Sequence, residues 1–250
     1  MNQLRMVPHQ AALFLLIIMF GSMTVQAQSK KVEAILNGGV DLKVGSLLVN
    51  RILFLGNSIT LHGPAANIGW TDNWGMAASS EEKDFVHLLT DQVAKAAGGK
   101  PKIMVRNIAD FERGLASFDI QERLKEELAF QPDVVILAIG ENCATPVNYE
   151  AKIAFSTALD DLLNAIEKNG KPKVFVRSQF WAEPTKDGLL KAATLKHQHI
   201  WVDLNGLIDE SCNARSERKI DHAGVAGHPG DKGMQVIADT IMKAIVSQSK

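Results

Sequence analysis

The chain has 250 residues, of which 46% are hydrophobic and 22% charged, enough apolar material to bury a full core. Its formal net charge is -1, which excludes electrostatic capture of nucleic acid or of an acidic membrane as an organising principle. No Gly/Ser linker, charge block or internal repeat divides it, so residues 28–250 read as a single domain.

The first 27 residues read as a separate element. Arg5 is the only charge before Lys30, the run Ala11–Phe20 is continuously apolar, and Val25-Gln26-Ala27 supplies small residues before a cleavage point. That is the layout of a secretory signal peptide. The apolar run is shorter than the roughly 20 residues a spanning helix requires. Cleavage after Ala27 predicts a mature, exported protein, periplasmic or secreted, that no longer engages the membrane. An oxidising compartment permits a disulfide between Cys143 and Cys212, but two cysteines make no framework, and two buried free thiols are the alternative.

In chain order, Lys31–Val49 reads as a small hairpin, and five apolar, β-branched runs follow. They are Leu48–Leu55, Ile103–Ile108, Val134–Ile139, Val174–Val176 with its continuation to Phe180, and Ile200–Leu204. The third, Val-Val-Ile-Leu-Ala-Ile, lacks polar alternation, as a strand covered on both faces should. Helical segments lie between and after them: Glu82–Ala97, Gln121–Phe130, Tyr149–Lys168, Lys186–His197 and about Asp231–Val246. Alternation of strand and helix predicts an α/β/α three-layer sandwich around a five-stranded, mainly parallel sheet. Ligands of such sheets bind at the carboxyl ends of the strands.

Three strand or helix ends carry chemistry. The first core strand runs into Gly56-Asn57-Ser58, where glycine permits a sharp turn and a serine can face the cleft; the same tripeptide is also ordinary turn chemistry. The third runs into Gly140-Glu141-Asn142, whose asparagine amide is suited to donate to an oxyanion or, alternatively, caps a loop. Gly227-His228-Pro229 precedes the last helix, so His228 can point back across the cleft or stand as a surface histidine. Cys143 reads as a thiol nucleophile or, with no histidine close in sequence, as a small hydrophobe. No His/Cys/Asp cluster has zinc spacing, and no metal or other cofactor is expected.

In this order the three blocks resemble those of the SGNH/GDSL hydrolases: Phe54-Leu55-Gly56-Asn57-Ser58-Ile59-Thr60, then Gly140-Glu141-Asn142, then His228-Pro229. The resemblance spans nearly the whole mature chain. It implies the flavodoxin-like SGNH fold and a carboxylic ester hydrolase with Ser58 as nucleophile and His228 as base. It also implies an oxyanion hole of the Ser58 amide, the Asn142 side chain and a second-block amide. Gly114 is the glycine available for that last position, with the amides of Glu112 and Arg113 as alternatives. One departure stands out. The family's aspartate three residues before the histidine is Val225 here, so Asp221, Glu183 or a backbone carbonyl must orient the imidazole.

The stretch from His62 to Met76 carries Trp70 and Trp74, which read either as a wall for stacking on a sugar or as filling for an irregular loop. His62 and Phe180-Trp181 are further candidates for the cleft wall. With export, this points to O-acetyl groups on a small-molecule or polysaccharide ester as substrate. A non-catalytic carbohydrate-binding protein and an O-acyltransferase are the alternatives on the same fold.

Overall fold

The central sheet grows from the apolar runs. In a computed structural model of the chain, which describes residues 41–248 except Asn169, five strands pair in parallel in the order β4-β3-β5-β6-β7. They are β3 (Arg51–Gly56), β4 (Lys102–Asn107), β5 (Val134–Ala138), β6 (Lys173–Arg177) and β7 (Ile200–Val202). The expected mainly parallel sheet is therefore parallel throughout. Ahead of it, β1 (Lys43–Val44) and β2 (Leu47–Leu48) form a tight antiparallel hairpin. Residues 31–40 of the predicted hairpin segment, and the predicted signal peptide, lie outside the described residues.

Period-two alternation along each strand divides its side chains between two cores. Ile52 and Phe54 of β3, with Val134 and Ile136 of β5, pack on one side against α1 (Phe85–Ala97) and the last helix, α8 (Asp231–Ser247). Leu53, Leu55, Val135 and Leu137 face the other side, against α5 (Tyr149–Lys168) and α6 (Pro184–Lys196). Every residue of β5 is buried, which explains a run with no polar alternation. Three layers result, as the alternation of elements predicts.

Two short helices were not predicted: α2 (Ala109–Gly114) after β4 and α7 (Ala223–Ala226) before α8. The predicted helix Gln121–Phe130 is broken into α3 (Ile120–Arg123) and α4 (Lys125–Ala129) at Leu124, whose buried side chain takes φ -114 and ψ 21. At the start of α1, Asp84 caps the helix by accepting from the His87 amide at 2.8 Å, and its second oxygen accepts from the Gly75 amide at 3.0 Å. One buried carboxylate thus anchors both the helix and the long loop after Ser58. Among the described residues, no helix is long and apolar enough to cross a membrane.

Candidate active site

The carboxyl ends of β3, β4 and β5 open into a cleft of about 250 Å³. Ser58, Asn107, Ala109, Arg113, Asn142, His222, Gly224, Val225 and His228 line it, with His62, Ile68 and Met76 from the loop after Ser58.

Ser58 stands on a turn that only glycine can precede. A Cβ on Gly56 would collide with the Thr60 side chain and lie 2.9 Å from the Ala138 carbonyl. Asn57 closes that turn: its carbonyl accepts from the Thr60 and Leu61 amides, and its side-chain Oδ1 from the Ile59 amide. The Ser58 amide is bonded to none of the described residues.

The Ser58 hydroxyl lies 2.8 Å from His228 Nε2. On the other side of the ring, Nδ1 lies 2.7 Å from the Gly224 carbonyl. That carbonyl is available because α7 ends there. The neighbouring carbonyls of Ala223 and Val225 accept from the Gly227 and His228 amides, whereas no backbone amide among the described residues bonds Gly224. A carbonyl only accepts, so Nδ1 carries the proton and Nε2 is free to accept from the Ser58 hydroxyl. Burial holds the imidazole below its ordinary pKa, against the Gly224 bond and the Glu141 charge, which act upward. The ring is therefore neutral at pH 7, the form a base requires.

The other candidate partners of His228 are engaged elsewhere. Asp221 is exposed beside Lys219, and Glu183 caps α6 by accepting from the Thr185 and Lys186 amides. Val225 packs in a small apolar cluster with Trp70, Met76, Ala77 and Ala214.

Asn142 reaches the cleft on a clamped loop. Gly140 takes φ +120, and a Cβ there would press on Gln179 at 2.9 Å. Beneath the loop lie two buried carboxylates. Glu141 accepts from Arg177 Nη1 at 2.6 Å, from the Phe180 amide at 2.9 Å and from Asn57 Nδ2 at 2.7 Å. Burial acts to raise the Glu141 pKa, but the Arg177 guanidinium and these donors outweigh it and hold it low. Glu112 is ion-paired with no cation among the described residues; burial and the nearby Glu141 charge raise its pKa.

These distances place Ser58, His228 and Asn142 around one cleft. Three solved structures share the architecture. A GDSL-like lipase from Bacteroides uniformis superposes with a TM-score of 0.55 at 12% identity, over 80% of this chain and 96% of that one. A two-domain esterase active on acetylated mannans matches with a TM-score of 0.50 at 16% identity, over 80% of this chain and 49% of that one. A family two carbohydrate esterase from Clostridium thermocellum matches with a TM-score of 0.51 at 13% identity, over 84% of this chain and 65% of that one. This chain has the SGNH/GDSL hydrolase fold. No family model and no curated protein matches its sequence.

The remaining candidates occupy particular places in this SGNH/GDSL fold. Gly114 ends α2 and is not among the residues lining the cleft; the second block contributes Asn107, Ala109 and Arg113 instead. The Glu112 amide is spent on the Ile108 carbonyl at 3.2 Å. Trp70 is buried and Trp74 half-buried. Their rings meet edge to face at 5.9 Å, and their indole N–H groups donate to the carbonyls of His62 and Ala78. Both belong to the loop's own small core, and neither lines the cleft.

The exposed aromatic beside the dyad is Trp181. Its ring stands edge to face with His228 at 5.2 Å and with buried Phe180 at 5.5 Å, and its N–H donates to the Gly227 carbonyl at 3.2 Å. Cys143 and Cys212 are free and buried. Burial, then the Glu112 charge, pushes the Cys143 thiol up to about 12, which leaves it protonated and unsuited to attack.

The sequence does not single out His222 in the cleft or the Glu141 carboxylate beneath it, and it offers Glu112 and Arg113 only for their amides. A signal is present at Glu141: an acidic residue just past the wholly buried β5 needs a set of donors.

Proposed function

We propose that this protein is a serine esterase that removes O-acetyl groups from a carbohydrate. The observation that carries this reading is the Ser58–His228 pair at 2.8 Å, its imidazole kept neutral by burial and held in the proton-accepting tautomer by Gly224. His228 takes the Ser58 proton as Oγ bonds to the ester carbonyl carbon. The resulting oxyanion is met by the Ser58 amide and the Asn142 side chain. The alcohol leaves with the proton returned by His228, and water then releases the acyl group by the same steps in reverse order.

The neutral tautomer is set by a carbonyl, which carries no full charge to stabilise the imidazolium formed during attack. The buried Glu141 charge supplies part of that stabilisation from beneath. Carbohydrate as the alcohol is supported by the exposed, immobilised Trp181 face next to His228 and by the fold shared with two carbohydrate esterases. Export is supported by residues 1–27, and N-terminal sequencing of the protein recovered from outside the cytoplasm tests it.

Hydrolysis of p-nitrophenyl acetate by the wild type and by Ser58→Ala tests the enzyme. Turnover in the wild type that falls to background in the variant is the expected result. Background rates in both overturn the reading in favour of a binding protein.

A further inference from the structure

The loop carrying Asn142 is clamped from two sides by the buried side chains of Lys186 and Glu112. Lys186, on one side, donates to the carbonyls of Gly140 at 2.9 Å and Cys143 at 3.1 Å. Glu112, on the other, accepts from the amides of Gly140 at 2.5 Å and Asn142 at 3.3 Å. Glu112 is 1% exposed, so nothing from solvent competes for its oxygens.

The same carboxylate also grips the Asn142 side chain. Its Oε2 accepts from Asn142 Nδ2 at 2.7 Å, while Arg113 Nη1 lies 3.5 Å from Asn142 Oδ1. The two ends of an asparagine amide have nearly the same shape, so chemistry decides which end goes where. A guanidinium only donates, so the oxygen must face Arg113 and the NH2 Glu112, whose Oε2 accepts. One Nδ2 hydrogen is spent on Glu112, and the second remains on a side chain that lines the cleft with Ser58.

We propose that Glu112 is a positioning residue for the reaction: its side-chain oxygen fixes the Asn142 amide so that the second N–H is presented to the oxyanion. This rests on the esterase reading above. A glutamine at 112 cannot do the same. Oε1 of Glu112 serves three donors, the Gly140 and Asn142 amides and Asn57 Nδ2, so the glutamine oxygen must take that place. Its NH2 then meets the Asn142 NH2, and the amide turns over, putting its oxygen where the oxyanion forms.

Two measurements test this. In Glu112→Gln, kcat on p-nitrophenyl acetate is expected to fall about 10²-fold or more, the effect of losing one oxyanion donor, with KM within about threefold. A folded variant whose kcat per titrated active site stays within tenfold of the wild type overturns the proposal.

Should Glu112→Gln fail to fold, ¹⁵N spectra of the wild-type protein decide. One proton of the Asn142 side-chain NH2 pair, assigned by its loss in Asn142→Ala, is expected to exchange with solvent at least tenfold more slowly than that of a solvent-exposed asparagine. Both protons exchanging at the rate of an exposed asparagine overturn the proposal. Failure of the esterase reading is recognised separately, as equal background rates in wild type and Ser58→Ala.

Discussion

His228 Nδ1 lies 2.7 Å from the Gly224 carbonyl, so the acceptor that orients the imidazole is a backbone carbonyl that the last turn of α7 leaves without an amide donor. A backbone acceptor does not titrate, so the imidazole keeps its orienting partner as the pH falls. Burial, the largest influence on this ring, lowers its pKa. The acid limb of kcat/KM is expected below the ordinary histidine value of about 6.5. Activity is full above that limb and falls as pH drops through it, because the protonated ring cannot accept the serine proton. A pH–rate profile on a neutral ester measures it; a limb above 6.5 contradicts the assignment of His228 as the base.

Asn57 bridges Glu141 Oε2 at 2.7 Å and Glu112 Oε1 at 3.3 Å through one NH2 group. Asn57→Asp would put a third carboxylate between two buried ones and remove both donors. The expected loss is about 3 kcal/mol or more, as for other uncompensated buried charges. Urea unfolding of the two proteins measures it, and equal midpoints would show that the network tolerates the charge.

Arg177 is wholly buried and gives Glu141 its cation. In Arg177→Met the Glu141 carboxylate keeps its burial and loses its compensation, a change that costs roughly 3–5 kcal/mol in comparable buried pairs. A drop in Tm of several degrees or more is expected, larger than that of substitutions at exposed ion pairs such as Lys219–Asp221.

The tryptophans divide by role. Trp70→Ala empties a buried site in the small core beneath the loop and is expected to cost about 3–5 kcal/mol of stability. Trp181 is 42% exposed, and its alanine variant is expected to fold normally. If its face stacks on the sugar, kcat/KM on an acetylated oligosaccharide falls about 3- to 10-fold further than on p-nitrophenyl acetate. Equal effects on the two substrates would assign Trp181 only to holding His228.

Much of this was legible in the sequence. Side-chain periodicity is a local property, so the unbroken apolar run at Val134–Ile139 announced a strand buried on both faces, and the alternation of such runs with helices announced the three layers. Gly56 and Ser58, Gly140 and Asn142, and His228 were visible as chemistry at element ends. The short helices α2 and α7 were not, because four to six residues hold too few turns to show a period.

What only the tertiary structure decided is how these groups are held. A backbone carbonyl belongs to every residue and leaves no mark in the sequence, so Gly224 could not be singled out as the acceptor for His228. Whether a tryptophan faces a cleft or a core depends on what the loop folds against, which put Trp70 inside and left Trp181 exposed. Glu112 acquired its donors from segments about 30 and 55 residues away in the chain, brought together because the carboxyl ends of neighbouring parallel strands meet at one edge of the sheet.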